Sequence, residues 1–362
     1  MDPRVRDHAE TLVEHSTAVE AGDEVLVRAP PAAADLVVAL YEELGERGAH
    51  PLTLGAPEGA GRAYMRAMDP EDFALPAHHE AAMEAADVIV SVRANENVNE
   101  SGDVAPGKNA ARGKAYEPLQ EIQLEKRWVA TQHPAPGDAQ KAEMSTEAYA
   151  DFVYEAVNRD WAAQREFQAE MVDVLDPADE VRIVSGDDTD VTMSVAGNPT
   201  QNDHAEHNLP GGEVFTAPIP DSVEGEVHFD KPLVAQGREV EGVRLRFEDG
   251  AVVASEAAKN EAVLDAVLGT DDGARRLGEL GVGMNRAIDR FTYNMLFDEK
   301  MGDTVHMALG RAYDDTVGEG NEANESAMHM DMIVDMSEDS FVEVDGEVVQ
   351  RDGAFVFEDG FE

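Results

Sequence analysis

Cysteine is absent from the 362-residue sequence, so the chain forms no disulfide, and any bound metal must be held by oxygen and nitrogen atoms. Basic residues are also scarce: lysine and arginine total 28 against 76 aspartates and glutamates, and the formal net charge is −48. This excess of acid argues against binding to nucleic acid and against docking on anionic membranes. The sequence has neither an apolar run long enough to span a bilayer nor an amino-terminal secretory signal. We therefore expect a cytoplasmic protein.

The acidic residues are spread along the whole chain rather than concentrated in a tail. Their mutual repulsion would strain a compact fold in dilute buffer, whereas molar salt shortens the Debye length to about 3 Å and screens the repulsion. The composition therefore predicts a protein adapted to high intracellular salt, as in halophilic archaea. An ordinary acidic enzyme is the alternative, and thermal unfolding in low and in molar KCl distinguishes the two.

The first half of the chain alternates short apolar strands with amphipathic helices. Strand patterns lie at 24–28, 51–54, 87–92 and 128–131, and helix patterns lie at 32–48 and, interrupted near Asn158, at 145–175. This alternation predicts a doubly wound, Rossmann-like α/β domain over residues 1–178. No glycine-rich phosphate-binding fingerprint accompanies it, so a dinucleotide cofactor is not expected.

The second half of the chain is rich in strands. Pro177 interrupts the earlier pattern, and strand patterns follow at 181–184, 191–195, 226–229, 243–247, 251–253 and 341–349, with one helix at 260–268. Asp-Gly dipeptides separate two pairs of these strands, as in β-hairpins. We therefore predict a β-rich α+β carboxy-terminal domain over residues 179–362.

Five residues of the second half have the chemistry of metal ligands. Glu213 and Glu279 each lie in an apolar, glycine-containing stretch, where a carboxylate needs a cation or hydrogen bonds to remain charged. His329 and Asp331 are two residues apart, so on a strand both side chains point to the same side. His306 lies in a further apolar stretch. A weaker alternative is the group His204, Glu206 and His207, which precedes a predicted loop.

Four segments of the second half resemble the M29 metallopeptidases, the aminopeptidase T group. They are Pro-Gly-Gly-Glu-Val-Phe-Thr-Ala-Pro at 210–218, Leu-Gly-Glu-Leu-Gly-Val-Gly-Met-Asn at 277–285, Leu-Phe-Asp-Glu-Lys-Met-Gly-Asp-Thr-Val-His-Met-Ala-Leu-Gly-Arg-Ala-Tyr at 296–313, and Glu-Ser-Ala-Met-His-Met-Asp at 325–331. The resemblance implies a dinuclear metal-dependent aminopeptidase that acts on peptides with a free amino terminus. It also implies a homodimer, whose carboxy-terminal domain holds the metals.

The resemblance also implies roles for individual residues. The metal ligands of the family fall on Glu213, Glu279, His306, His329 and Asp331. The catalytic residues would be Tyr313 and Glu279, although the residues themselves leave open whether Glu279 or Glu213 is the general base. The donor set suits two divalent ions of Zn, Co or Mn. An amidase-type metallohydrolase and a non-catalytic metal- or peptide-binding protein are the alternatives.

Overall fold

The structure, a computed structural model, describes residues 1–235 and 237–361. The chain forms two compact units, each with its own contacts. The first unit comprises Met1–Arg159 and Ala205–Pro210, and the second comprises Asp160–His204 and Gly211–Glu362. No helix in the described part of the chain combines the length and the apolar character needed to cross a membrane.

The first unit is built on a parallel sheet. Its strands are β1 (Glu24–Arg28), β2 (His50–Leu54), β3 (Val88–Arg93), β4 (Arg127–Gln132) and the short β8 (Asn208–Leu209). They are arranged in the order β2-β1-β3-β4-β8, and every neighbouring pair is parallel. The centre of β3 is buried, as expected for a run of β-branched residues covered on both faces. The predicted Rossmann-like α/β arrangement is confirmed.

Helices connect the strands of the first unit. They are α1 (Pro3–Thr11), α2 (Ala34–Arg47), α3 (Ala60–Ala67), α4 (Ala77–Ala85), α5 (Pro106–Leu124), α6 (Pro136–Lys141) and α7 (Thr146–Val157), with a π-helical turn at Leu12–Ser16 and 3-10 turns at Pro31–Ala33 and Pro70–Asp72. The predicted helix at 32–48 corresponds to α2, which buries Leu36, Leu40 and Leu44. It ends at Gly48, whose φ of 77° suits a left-handed helix cap.

The interruption near Asn158 lies at the division between the two units. There, α7 ends, and α8 (Trp161–Leu175) begins after Asp160, whose carboxylate accepts a hydrogen bond from the Ala163 amide. The second helix belongs to the second unit, because Gln164 and Gln168 bond to the backbone of that unit. The domain boundary that the sequence predicts near residue 178 stays a prediction. The two compact units divide earlier in the chain, between Arg159 and Asp160.

The described residues of the second unit form three antiparallel sheets. Its strands are β5 (Glu180–Ser185), β6 (Thr189–Ser194), β7 (Gln201–Asp203), β9 (Glu213–Thr216), β10 (Glu224–Phe229), β11 (Leu233–Ala235), β12 (Arg238–Val240), β13 (Val243–Glu248), β14 (Ala251–Glu256), β15 (Leu277–Gly283), β16 (Thr304–Gly310), β17 (His329–Asp335), β18 (Ser340–Val344), β19 (Glu347–Arg351) and β20 (Ala354–Phe355). The orders are β14-β13-β10-β6-β5-β18-β19-β20, β11-β12 and β17-β16-β15-β9-β7. The predicted β-rich half is confirmed.

Short helices and two tight hairpins complete the second unit. The helices are α9 (Glu261–Leu268) and α10 (Met295–Asp298), with 3-10 turns at Gly273–Arg275 and Asp314–Thr316. Both predicted Asp-Gly hairpins are present, β13–β14 and β18–β19. Asp249 and Asp345 have φ values of 49° and 50°, and the glycine after each is also left-handed. Two consecutive positive φ values define the turn that matches the twist of a hairpin.

Candidate metal centre

One face of the sheet β17-β16-β15-β9-β7 carries all five predicted metal ligands. Directly opposed residues of neighbouring strands share a face, as do residues two apart on one strand. The opposed pairs are Asp203 with Glu213, Glu213 with Gly283, Gly281 with His306, Ala308 with Asp331, and Gly310 with His329. Glu279 precedes Gly281 by two residues, so its side chain joins the same face.

The opposite face of this sheet is apolar. It contributes Val214, Leu280, Val305, Met307 and Met332 to the hydrophobic core of the second unit. Every residue of β15 and of β16 is buried, so a one-residue change in register would exchange acids and histidines for core side chains. Burial of the apolar residues therefore sets which side chains face the site.

His306 lies at the centre of the site. Its imidazole is fully buried, and Nε2 lies 3.1 Å from Oε1 of Glu279 and 3.3 Å from Oε2 of Glu213. Gly281 makes room for this ring, because a Cβ at that position would approach Nε2 to 2.1 Å. Two glutamates from different strands thus converge on one imidazole nitrogen.

His329 and Asp331 complete the group from β17. Nδ1 of His329 donates to the backbone carbonyl of Arg311 at 2.8 Å, which directs Nε2 toward the acids. This Nε2 lies 3.3 Å from Oδ1 of Asp331 and 3.9 Å from Oε2 of Glu279. The structure therefore brings Glu213, Glu279, His306, His329 and Asp331 together; their role as ligands stays a prediction.

The donor atoms fit a divalent cation. One possible ligand atom each from Glu279, His306 and Asp331 lies within 4.8 Å of the other two. Oε2 of Glu213 and Oδ1 of Asp331 are buried and accept no well-directed hydrogen bond from the residues that the structure describes. Buried carboxylate oxygens of this kind require a cation nearby. Oxygen and imidazole nitrogen donors suit zinc, cobalt or manganese.

The acids change the protonation of both histidines. Burial by itself lowers the pKa of His306, but the hydrogen bond to Glu279 and the charge of Glu213 raise it to about 9. The pKa of His329 is raised to about 10 by Asp331 and Glu279, against the effect of burial. Burial also raises the pKa of the Glu279 carboxyl. Without a metal, both imidazoles are therefore cationic at neutral pH, and a metal would have to displace their protons.

Sequence reasoning missed three charged residues at this site. Lys300 is fully buried, and its Nζ lies 2.9 Å from Oε1 of Glu213, 3.6 Å from Oδ2 of Asp203 and in contact with Glu299. Burial raises the pKa of Glu299 to about 8, although Lys300 opposes this rise. Glu299 and Lys300 lie in the segment 296–313 that carried the family resemblance, and an Asp-Glu-Lys run between apolar residues was the available signal.

Tyr313 lies beside the histidine of β17. Its ring centroid is 4.9 Å from that of His329, and the tyrosine side chain is 44% exposed. Desolvation raises the pKa of Tyr313, and the nearby charges of Glu279 and Asp331 raise it further. The phenol therefore keeps its proton at neutral pH and can act as a hydrogen-bond donor to a molecule bound at the site.

The alternative histidine group contributes no comparable arrangement. His207 stacks on Trp128 with ring centroids 4.7 Å apart, and its Nδ1 lies 3.3 Å from the Trp128 carbonyl oxygen. Among the described residues, Glu279, His306 and Asp331 have ligand atoms close enough together to share one cation. His204, Glu206 and His207 are not part of this group.

A Rossmann-like α/β unit and a β-rich unit with a buried acid–histidine group define a two-unit α/β protein with a candidate metal site. The model of the family "Thermophilic metalloprotease (M29)" matches residues 1–361, and the chain belongs to this family of peptide-bond hydrolases. Aminopeptidase T of Thermus aquaticus is 30% identical over an alignment of 394 positions that covers 93% of each chain.

Comparison with solved structures also shows similarity to an aminopeptidase T. The wild-type AmpT structure from Thermus thermophilus matches with a TM-score of 0.88 and 27% identity, covering 98% of this chain and 99% of that one. A 2,5-dihydroxypyridine dioxygenase from Pseudomonas putida KT2440 matches with a TM-score of 0.62 at 15% identity, over 98% and 97% of the two chains. The second likeness concerns the fold alone, so the fold does not by itself specify the reaction.

Proposed function

We propose that the chain is an aminopeptidase that removes amino-terminal residues from peptides by means of two divalent metal ions. The observation that carries this proposal is the convergence of Glu279, His306 and Asp331, whose ligand atoms fit one cation. The aminopeptidase names of the relatives support the substrate class. Glu213 and His329 would provide the remaining ligands.

Charge balance supports more than one cation. Five acidic side chains, those of Asp203, Glu213, Glu279, Glu299 and Asp331, lie in a largely buried region with the ammonium of Lys300, and the two histidines lose their positive charge when they bind a metal. Uncompensated charges are costly in such surroundings. Bound divalent ions supply acidified water and polarise the scissile carbonyl at neutral pH. Zinc, cobalt and manganese are the metals that we propose.

The chain's own residues have separate tasks in this proposal. Glu279 would accept the proton that the attacking water gives up, since its buried carboxyl has a raised pKa and so holds a proton more readily than usual. Tyr313 would donate its phenolic proton in a hydrogen bond to the oxygen on which negative charge develops. The surplus of carboxylates would attract the ammonium group of a free amino terminus. A homodimer and a cytoplasmic location remain part of the proposal.

Metal removal tests this function in molar KCl. Exhaustive dialysis against a chelator should abolish hydrolysis of an aminoacyl p-nitroanilide, and added Zn²⁺ or Co²⁺ should restore it. His329→Ala should lose metal and activity. Tyr313→Phe, which removes only a hydroxyl, should keep its metal and lose about 10²–10³-fold in kcat, the usual cost of one oxyanion donor.

The substrate panel separates the alternatives. It contains the aminoacyl anilide, the same compound with a blocked amino group, and a simple amide. Turnover of the free-amino substrate alone supports the aminopeptidase. Equal turnover of the simple amide would indicate an amidase, and stoichiometric metal without turnover of any compound would indicate a binding protein. Full activity after complete chelation would refute the metal mechanism.

A further inference from the structure

Lys300 occupies an unusual position for a lysine of this chain. The sequence has seven lysines, all in the described part of the chain, and Lys300 is fully buried whereas the others retain exposed area. An ammonium group has three hydrogen-bond donors. Here it faces three carboxylates, those of Glu213, Glu299 and Asp203.

The two carboxylate oxygens of Glu213 have different neighbours, and only one of them lies close to the ammonium of Lys300. In Glu213, Oε1 lies 2.9 Å from Nζ of Lys300, whereas Oε2 lies 3.3 Å from Nε2 of His306. Oε2 is buried and accepts no hydrogen bond from the described residues. Glu299 also contacts Lys300 through Oε1. One oxygen of each glutamate therefore contacts the lysine, and in Glu213 the other oxygen is left for a different partner.

The backbone on either side holds this lysine in place. The Lys300 amide donates to the Phe297 carbonyl at 3.0 Å, and the Lys300 carbonyl accepts from the Asn285 amide at 3.0 Å. Asn285 in turn donates from Nδ2 to the Gly211 carbonyl, two residues before Glu213. The lysine and the glutamate are thus connected through a short, hydrogen-bonded path that fixes their separation.

We propose that Lys300 is a positioning residue, which binds one oxygen of Glu213 and one of Glu299 so that their second oxygens face the metal. This inference rests on the metal site of the proposed function. Without the ammonium, Glu213, Glu299 and Asp203 would lose the partner that holds their side chains, and the carboxylates of Glu213 and Asp203 would repel each other. Groups that orient metal ligands in this way typically contribute about 10–100-fold to metal affinity.

The direction in which metal affinity changes when Lys300 is replaced distinguishes a positioning role from simple charge repulsion. A nearby ammonium repels a metal cation, so charge alone predicts that Lys300→Met, which keeps the length of the side chain, binds metal more tightly. Positioning predicts the opposite. We expect Lys300→Met to bind Co²⁺ about 10–100-fold more weakly than the unmodified protein in a competition titration against a chelator.

Lys231→Met provides the matched control. Lys231 also pairs with two aspartates, at 2.7 Å from Oδ2 of Asp335 and 3.6 Å from Oδ1 of Asp230, and its ion pairs among the described residues do not include the site residues. The Lys231→Met protein should keep its Co²⁺ affinity within about twofold, a much smaller change than the loss expected for an orienting group. Lys300→Gln, which retains a donor without the charge, should bind Co²⁺ with intermediate affinity, and it replaces Lys300→Met in every measurement if the latter does not fold.

Crystal structures of the metal-free proteins give a second, independent result. In Lys300→Met, the carboxylates of Glu213 and Glu299 should leave the positions that they have in the unmodified protein. Unmoved carboxylates, or unchanged or tighter Co²⁺ binding, would overturn the inference. If the unmodified protein binds no metal but these carboxylates move in the variant, the proposed function fails and the positioning role of Lys300 stands.

Discussion

At the scale of the residue, buried histidines of this chain have opposite charge states. His306 lies among carboxylates, and its pKa is raised to about 9. His8 lies in the first unit without an acid beside it, and burial lowers its pKa to about 3, with a smaller effect of His133. Thr131 donates its hydroxyl proton to the Leu209 carbonyl, so His8 Nε2 must donate to Thr131 Oγ1, at 2.7 Å. The surroundings, not the residue type, decide the charge.

His8 therefore makes stability depend on pH. Its pKa in the folded state, about 3, is below the usual histidine value of 6.5, so between these pH values the unfolded chain binds a proton that the folded chain does not. Stability is fully present above pH 6.5 and falls as the pH is lowered. From pH 7 to pH 5 this one group should cost about 2 kcal/mol.

Denaturant unfolding of His8→Gln in molar KCl measures this contribution. The variant should lose about 2 kcal/mol less than the unmodified protein between pH 7 and pH 5. His50→Gln, at an exposed position, serves as the control and should keep the original pH dependence. An identical pH dependence in all three proteins would show that His8 is not held neutral in the folded state.

At the scale of the element, strands β15 and β16 determine the geometry of the candidate site. Gly281 and His306 are directly opposed in these strands, and the glycine leaves the space that the imidazole occupies. A strand interior disfavours glycine, so its presence indicates a close approach of another group. Space for one ring is thus provided by a missing side chain on the neighbouring strand.

Gly281→Ala should displace the imidazole without unfolding the protein. The added Cβ would lie 2.0 Å from Cε1 of His306, and a side chain yields more easily than backbone. We expect loss of about 10-fold or more in Co²⁺ affinity, as for other disturbed ligand positions. Gly45→Ala is the control, because Gly45 lies in α2 and, apart from its chain neighbours and the backbone of its own helix, no described atom lies within 4 Å of the added Cβ. Equal Co²⁺ affinity in both variants would contradict this account.

At the scale of the whole molecule, the charge of −48 is the dominant feature. Many of the arginines pair with acids at exposed positions, as Arg182 does with Asp190 and Arg244 with Asp188. Exposed pairs of this kind contribute little, about 0–1 kcal/mol each, and 28 basic residues balance the charge of fewer than half of the 76 acids. Adaptation to high salt stays a prediction that the charge supports.

Thermal unfolding tests the effect of salt. The midpoint should rise between about 0.1 M and about 2 M KCl, because the Debye length falls from about 10 Å to below about 3 Å and the repulsion between acids is screened. Sorbitol at matched osmolality should raise the midpoint less, since it does not screen charge. Equal midpoints at both KCl concentrations would identify an ordinary acidic enzyme.

Local signals identified much of the fold and the acids and histidines of the site. The predicted strand at 24–28 is β1, and the break in the helix near Asn158 separates α7 from α8. Helix α5 was not predicted, because Pro118 and scattered small residues weaken its periodicity. Lys300 was not predicted as part of the site, because in an acidic chain a lysine is expected at the surface.

The sequence by itself determined the alternation of strands and helices and membership of the M29 family, because both depend on residues close together in the chain. It also excluded thiolate ligands, because the chain has no cysteine. Only the tertiary structure decided which side chains share a face of the sheet β17-β16-β15-β9-β7, and that Lys300 lies between Glu213 and Glu299. These contacts depend on strand register, and a shift of one residue would place every ligand on the opposite face.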